Sequence, residues 1–451
     1  MSPRARLLAP ALLVVVVVVA SVALAGSFGQ LTGGPGGPDG AGGPGGQSGP
    51  EATGPAGHGG AGNPTVGTPT TTSSPTPRPP QGGTELYGYL PYWEMTDSTA
   101  DYLDDVPLST IALFSVSARR NGAIDIRPTG YDRIAGAIGR RIIDEAHERG
   151  ARVELVFTSF GAEKNAIFFG RVARGGPATS PGTSAAAVPP SPSLPRPANM
   201  PWQRAVGELV GLVDDLGVDG LNVDVELLDD RDRDAYREFL DALRAGLDAL
   251  GSDLTLSVAT EAGPRGVSNA AAAAASGVDR VFLMGYDYHW SGSQPGASSP
   301  IERTDGLYDL RWSIDSYVVA GVPRDRILLG LPLYGMRWRT LGPDRTAPVV
   351  GDGVTWIPNR NLDVITAPGF SPARDPGEVA EFFSEPDGLT WLITYYDSPA
   401  TTRAKLALAR DHGLAGGGFW AIGYERDVPG YLGLLRDFRD GRVGREESPA
   451  P

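Results

Sequence analysis

From Asn222 to Glu226 the chain reads Asn-Val-Asp-Val-Glu, with a polar side chain at every second position and valine between. On a β-strand successive side chains point to opposite faces, so Asn222, Asp224 and Glu226 share one face while Leu221, Val223 and Val225 share the other. A parallel barrel strand has two such faces, one toward the barrel interior and one toward packed helices. Two acids and an amide stacked inside a barrel are expensive to bury unless they are hydrogen-bonded and put to use. Glu226 comes last, at the carboxyl end of the strand, where barrel enzymes keep their chemistry. The pattern predicts a catalytic acid.

The rest of the chain supplies the other strands. Apolar runs alternate with amphipathic stretches, as in repeated βα units. Strands are expected at 86–90, 110–115, 152–159, 220–226, 255–260, 280–286, 327–332 and 417–421, with helices at 133–148, 202–215, 233–250, 313–320 and 401–412. This is the order of an α/β fold, a closed (β/α)8 TIM barrel. A doubly wound open sheet is the alternative, but no Gly-rich phosphate fingerprint follows the first strand. The segment 336–390, between strands seven and eight, is long enough for an elaborated loop or a small subdomain. Residues 173–199 are low in complexity and fall after the third strand, on the catalytic face, as a lid or a passive insertion.

Outside the barrel, expected at 84–440, the composition changes. Arg4 and Arg6 precede an apolar run from Leu7 to Ala25, followed by the Gly/Pro/Thr-rich stretch 26–83. The first reads as a signal peptide or an amino-terminal membrane anchor, the second as a disordered linker. Residues 441–451 read as a disordered tail. With no cysteine, disulfides and thiolate metal sites are excluded. A formal net charge of -14 argues against nucleic acid as partner. The four histidines form no HExxH pair, so neither metal nor cofactor is expected. An exported monomer, secreted or held at the cell surface, is the expectation.

The stretch Asp219-Gly220-Leu221-Asn222-Val223-Asp224-Val225-Glu226 resembles the strand-four signature of the family 18 glycoside hydrolases, the chitinases and related N-acetylglucosaminidases. Further family landmarks follow in order: Gly88-Tyr89-Leu90-Pro91-Tyr92-Trp93, Met284-Gly285-Tyr286-Asp287, Gly330-Leu331-Pro332-Leu333-Tyr334-Gly335 and Gly416-Gly417-Gly418-Phe419-Trp420. The resemblance implies a TIM barrel that hydrolyses β-1,4-linked N-acetylglucosamine polysaccharide, in chitin oligomers or in peptidoglycan of a cell wall. It implies the substrate-assisted, retaining route that sets this family apart from two-carboxylate glycosidases. Glu226 would be the acid, Asp224 the partner of the substrate's acetamido N–H, and Tyr286 its further hydrogen-bond donor. Asn222, Asp287, Tyr334, Trp420, Met284 and Trp93 would line the sugar site, with packing as the other use of Met284.

Two positions depart from the common chitinase pattern. Asn222 replaces the more usual Asp and cannot ionise, and Val225 stands where many chitinases carry Trp; both resemble the branch associated with spore-cortex and cell-wall lysis. Trp290 and Trp338, like Trp93, follow barrel strands and serve either as sugar platforms or as core. Glu261, at the end of strand five, either reaches the cleft or caps the next turn, and Asp219 braces the strand entrance. The rival functions are a catalytically silent, lectin-like barrel and a cell-wall adhesion module. Chitin, peptidoglycan and an N-glycan core remain open as substrates.

Overall fold

A computed structural model describes residues 84–171, 200–251 and 253–444. The expected signal or anchor, the linker, the 173–199 loop and residues 445–451 of the tail lie outside the described residues. Among the described residues no helix is long and apolar enough to cross a membrane.

Eight parallel strands form the centre of the fold: β1 (Glu85–Pro91), β2 (Thr110–Ser117), β3 (Arg152–Phe160), β4 (Gly220–Glu226), β5 (Thr255–Glu261), β6 (Arg280–Met284), β7 (Ile327–Pro332) and β13 (Gly416–Trp420). They close into a barrel in the order β1-β13-β7-β6-β5-β4-β3-β2. All eight expected strands are present. The alternation of side chains separates two apolar cores. Leu221, Val223 and Val225 join the larger core between sheet and helices. Tyr87, Tyr89, Phe114, Phe282 and Met284 fill the barrel interior.

The interior is tight enough to dictate glycine. A Cβ on Gly330 would stand 2.3 Å from the Phe282 ring, and one on Gly418 2.5 Å from the same ring. Two glycines therefore seat one aromatic plug, which packs edge-on against Tyr89 at 4.9 Å between centroids.

Three expectations need correction. The helix expected at 133–148 is two helices, Thr129–Ala135 and Ala137–Glu148, because Gly136 adopts extended backbone between them. Strand six ends at Met284, so Tyr286 leaves the sheet before reaching the cleft. The elaborated segment is wider than 336–390 and forms its own sheet. Its strands are β8 (Gly335–Thr340), β9 (Val354–Trp356), β10 (Ala373–Asp375), β11 (Ala380–Asp387) and β12 (Thr390–Tyr396), antiparallel in the order β10-β11-β12-β8-β9.

Candidate active site

Every residue of β4 is buried. Its register sets Asn222 level with Val156 and Ser257, Asp224 with Thr158 and Ala259, and Glu226 with Phe160. Asn222 Oδ1 accepts a 3.1 Å hydrogen bond from the Tyr89 hydroxyl. Asn222 Nδ2 and Asp224 Oδ1 are buried with no hydrogen-bond partner among the described residues. A buried polar atom left unpaired costs about 1–3 kcal/mol, so this donor and this acceptor, both on the interior face of β4, suit a polar ligand. Asp219 braces the start of the strand instead. Its Oδ2 accepts from the Val153 amide at 2.7 Å and faces His147 Nε2 at 2.8 Å.

The strand end is held from three sides. The Glu226 carbonyl accepts from Asn165 Nδ2 at 2.7 Å and from the Gly161 amide at 3.4 Å. Leu227, next in the chain, sits in the left-handed backbone region at φ 59°, a conformation that costs a residue with a side chain roughly 1–2 kcal/mol. Its amide donates to Glu261 Oε1 at 2.8 Å. Burial, then the Asp224, Glu261 and Asp287 carboxylates, push the Glu226 carboxyl well above the usual carboxylate range. Burial and then Glu261 do the same to Asp224. An acid shaped this way keeps its proton where an exposed glutamate would have lost it.

Tyr286 and Tyr334 face one another with ring centroids 6.3 Å apart. Desolvation, then neighbouring Tyr89, Tyr334, Asp224 and Glu226, hold the Tyr286 phenol well above its ordinary value, so it is a neutral donor. Asp287 accepts from the Tyr334 hydroxyl and takes a left-handed φ of 59°, while its amide donates to Ser298 Oγ at 3.0 Å. The inserted sheet clamps this loop: Glu378 accepts from the Ala297 amide at 2.6 Å and from Arg345 at 2.6 Å, and the Gly353 amide donates to the Ser291 carbonyl at 2.8 Å.

Aromatic rings cluster at the carboxyl ends of the barrel strands. Trp420 packs edge-on against Phe114 at 4.6 Å and against Trp93 at 6.4 Å, and Phe114 stacks on Phe160 at 6.4 Å. Trp93 Nε1 donates to the Tyr424 hydroxyl at 3.1 Å. Met284 is buried in the same interior cluster, beside Tyr286 and Trp420. Trp290 is partly exposed. Trp338 is fully buried and packs on Tyr395, so it belongs to the core and not to a sugar platform. The residues that reading the chain missed are Asn165, Ser298, Phe114 and Phe160. The two phenylalanines carried a signal, since each lies on the interior parity of its strand; Asn165 and Ser298 carried none. Among the described residues no cluster of three or more His, Asp or Glu is arranged to hold a metal ion.

The sequence profile described as Glycosyl hydrolases family 18 matches residues 202–425, from the helix before β4 to the loop after β13. The chain belongs to family 18. Among curated family members it is 29% identical over 238 residues to an endochitinase 1 of Metarhizium robertsii, covering 49% of this chain and 56% of that one. It is likewise 29% identical over 225 residues to a putative sporulation-specific glycosylase of Bacillus subtilis, covering 48% and 50%. The chain thus spans about half the length of these curated relatives. The family fold is shared with the Bacillus cereus spore cortex-lytic enzyme SleL, at TM-score 0.59, 20% identity and coverage of 80% and 76%. It is shared also with a Cycas revoluta chitinase in complex with (GlcNAc)3, at TM-score 0.61, 17% identity and coverage of 78% and 99%. Within family 18 the matched range contains every candidate site residue except Trp93.

Proposed function

We propose that this chain is an exported glycoside hydrolase that cleaves β-1,4-linked N-acetylglucosamine polysaccharide, chitin oligomers or peptidoglycan, by substrate-assisted retention. Glu226 gives its proton to the glycosidic oxygen as the bond from that oxygen to the anomeric carbon breaks. The substrate's acetamido oxygen attacks the same carbon, forming an oxazolinium ion. Asp224 accepts the acetamido N–H and balances the positive charge, while the Tyr286 hydroxyl donates to the acetamido group. Water then opens the ring at the anomeric carbon and returns a proton to Glu226. Trp420 stacks on the sugar ring and Trp93 extends the aromatic floor. Export rests on Arg4, Arg6 and the apolar run 7–25, and leaves the barrel secreted or held at the surface by that run.

The observation that carries the reading is the unpartnered Asp224 Oδ1 two residues before a buried Glu226, whose carboxyl burial and the neighbouring carboxylates push well above its ordinary range. The test is product analysis by mass spectrometry after incubation with chitooligosaccharides and with purified peptidoglycan. Glu226→Gln should lower turnover by about 10²- to 10⁴-fold while oligosaccharide binding persists. Equal turnover by the variant and the natural protein would discard the mechanism, and a protein that binds but never cleaves would leave a lectin-like barrel.

A further inference from the structure

Resting on the hydrolase reading, we propose that Glu261 is a positioning residue for Glu226: its carboxylate holds the Leu227 amide and sets a fixed negative charge behind both Asp224 and Glu226. Three observations meet here. Leu227 is the residue directly after the acid and takes a left-handed backbone, φ 59°, that a leucine rarely adopts unaided. Glu261 Oε1 receives its amide at 2.8 Å across the gap between β5 and β4. The other oxygen, Oε2, is shut away from solvent and has no hydrogen-bond partner among the described residues, although Asp224 and Glu226 both feel its charge.

The groups facing Glu261 say how it ionises relative to Glu226. From β4 come Asp224 and Glu226, with Asp287 acting on Glu226 from the loop after β6. Burial raises the Glu261 carboxyl above its ordinary value, while the Leu227 amide, and Arg265 and Asn269 from the helix Pro264–Ala274, oppose the rise. Tyr236 and Tyr317 approach from the helices Arg233–Leu250 and Leu310–Val319, and the Tyr317 hydroxyl donates to the Glu261 carbonyl at 2.7 Å. Glu261 alone of the three has a cation and a neighbouring residue's backbone amide on its side. It is therefore raised less than Glu226 and ionises before it. Truncating Glu261 therefore both releases a strained turn and removes the charge; replacing it by glutamine removes only the charge, because the amide oxygen still accepts from Leu227.

The experiment is the pH dependence of kcat/KM on a soluble chitooligosaccharide for the natural protein, Glu261→Gln and Glu261→Ala. The alkaline limb reports the acid in the free enzyme. In Glu261→Gln it should move to lower pH by roughly one unit, the size expected when a nearby like charge is removed, with kcat at the new optimum little changed. Glu261→Ala should show the same displacement together with a roughly tenfold or greater loss of kcat. An alkaline limb in Glu261→Gln that coincides with the natural one would overturn the proposal, leaving Glu261 a mere turn cap. Carboxyl-carbon NMR titration of the natural protein decides the matter even if the variants do not fold: Glu261 should ionise at lower pH than Glu226, and the reverse order refutes it. A natural protein inactive on every substrate would defeat the hydrolase reading, while the titration would still judge Glu261.

Discussion

Asp224 and Glu226 are buried carboxyls that hold protons more tightly in the folded chain than in the unfolded one. For such groups the folded state binds the extra protons, so stability is complete below their unfolded values of about 4 and is lost as pH rises from there. Asp224→Asn replaces the group by a neutral amide of the same shape. It should raise the melting temperature at pH 8 and leave it nearly unchanged at pH 4, while kcat falls by roughly 10²- to 10³-fold because the oxazolinium ion loses its counter-charge. Thermal unfolding at the two pH values, beside steady-state kinetics, checks both halves. An unchanged kcat would remove Asp224 from the mechanism. These two acids and Asn222 were legible in the chain because a strand repeats every two residues. Asn165 and Ser298 were not, since each works by reaching another element, and no local period records where a side chain meets a distant backbone. Glu261 lies between: its place at a strand end was readable, its partner was not.

At the scale of elements, the inserted sheet is more than an ornament on the barrel. Glu378 lies in the loop between β10 and β11 and ties the segment that carries Asp287 through Ala297, with His289 at 3.2 Å and Arg345 completing the group. Burial alone would raise the Glu378 carboxyl, but His289, the Ala297 amide and Arg345 outweigh it and carry it to about 2. Its stabilising contribution is therefore present above the unfolded value near about 4 and lost only as pH falls through about 2. Glu378→Ala should cost about 1–3 kcal/mol, since it leaves the buried Ala297 amide without its acceptor while the half-exposed Arg345 keeps Asp375 at 2.7 Å. Faster amide exchange should appear at residues 287–301 with β4 protection intact. Exchange that quickened equally across the barrel would show that Glu378 supports the whole fold, not this loop. The eight barrel strands were recognised from their apolar runs, with ends shifted by a few residues at most. The five-stranded insertion was not resolved into strands, because Val354–Trp356 and Ala373–Asp375 are each only three residues long, too short for alternation to register.

The molecule as a whole buries more acid than it neutralises. Besides the site carboxyls, Glu425 is enclosed behind the last strand, where burial pushes it up to about 7 despite hydrogen bonds from Tyr102 and the Gly423 amide. Raised above its unfolded value, it contributes stability that is whole below about 4 and is lost as pH climbs through about 7, a swing of about 3 kcal/mol. A formal net charge of -14 adds self-repulsion over the same range. The protein should therefore be most stable in mild acid, and Glu425→Gln should flatten the decline between pH 5 and pH 8 when melting temperature is followed across that interval. A variant with an unaltered slope would place the loss elsewhere.

Low in the barrel, Glu154 receives hydroxyl hydrogen bonds from Tyr87 at 2.6 Å, Thr255 at 2.7 Å and Ser257 at 2.9 Å. Asp224, on the next strand and nearer the carboxyl end, has an oxygen with none. The same interior thus holds one carboxylate that is saturated and another that waits. Over evolutionary time the two would be policed by different failures: a lineage that altered Glu154 would lose molecules to degradation, whereas one that altered Asp224 would keep a sound protein with nothing to do.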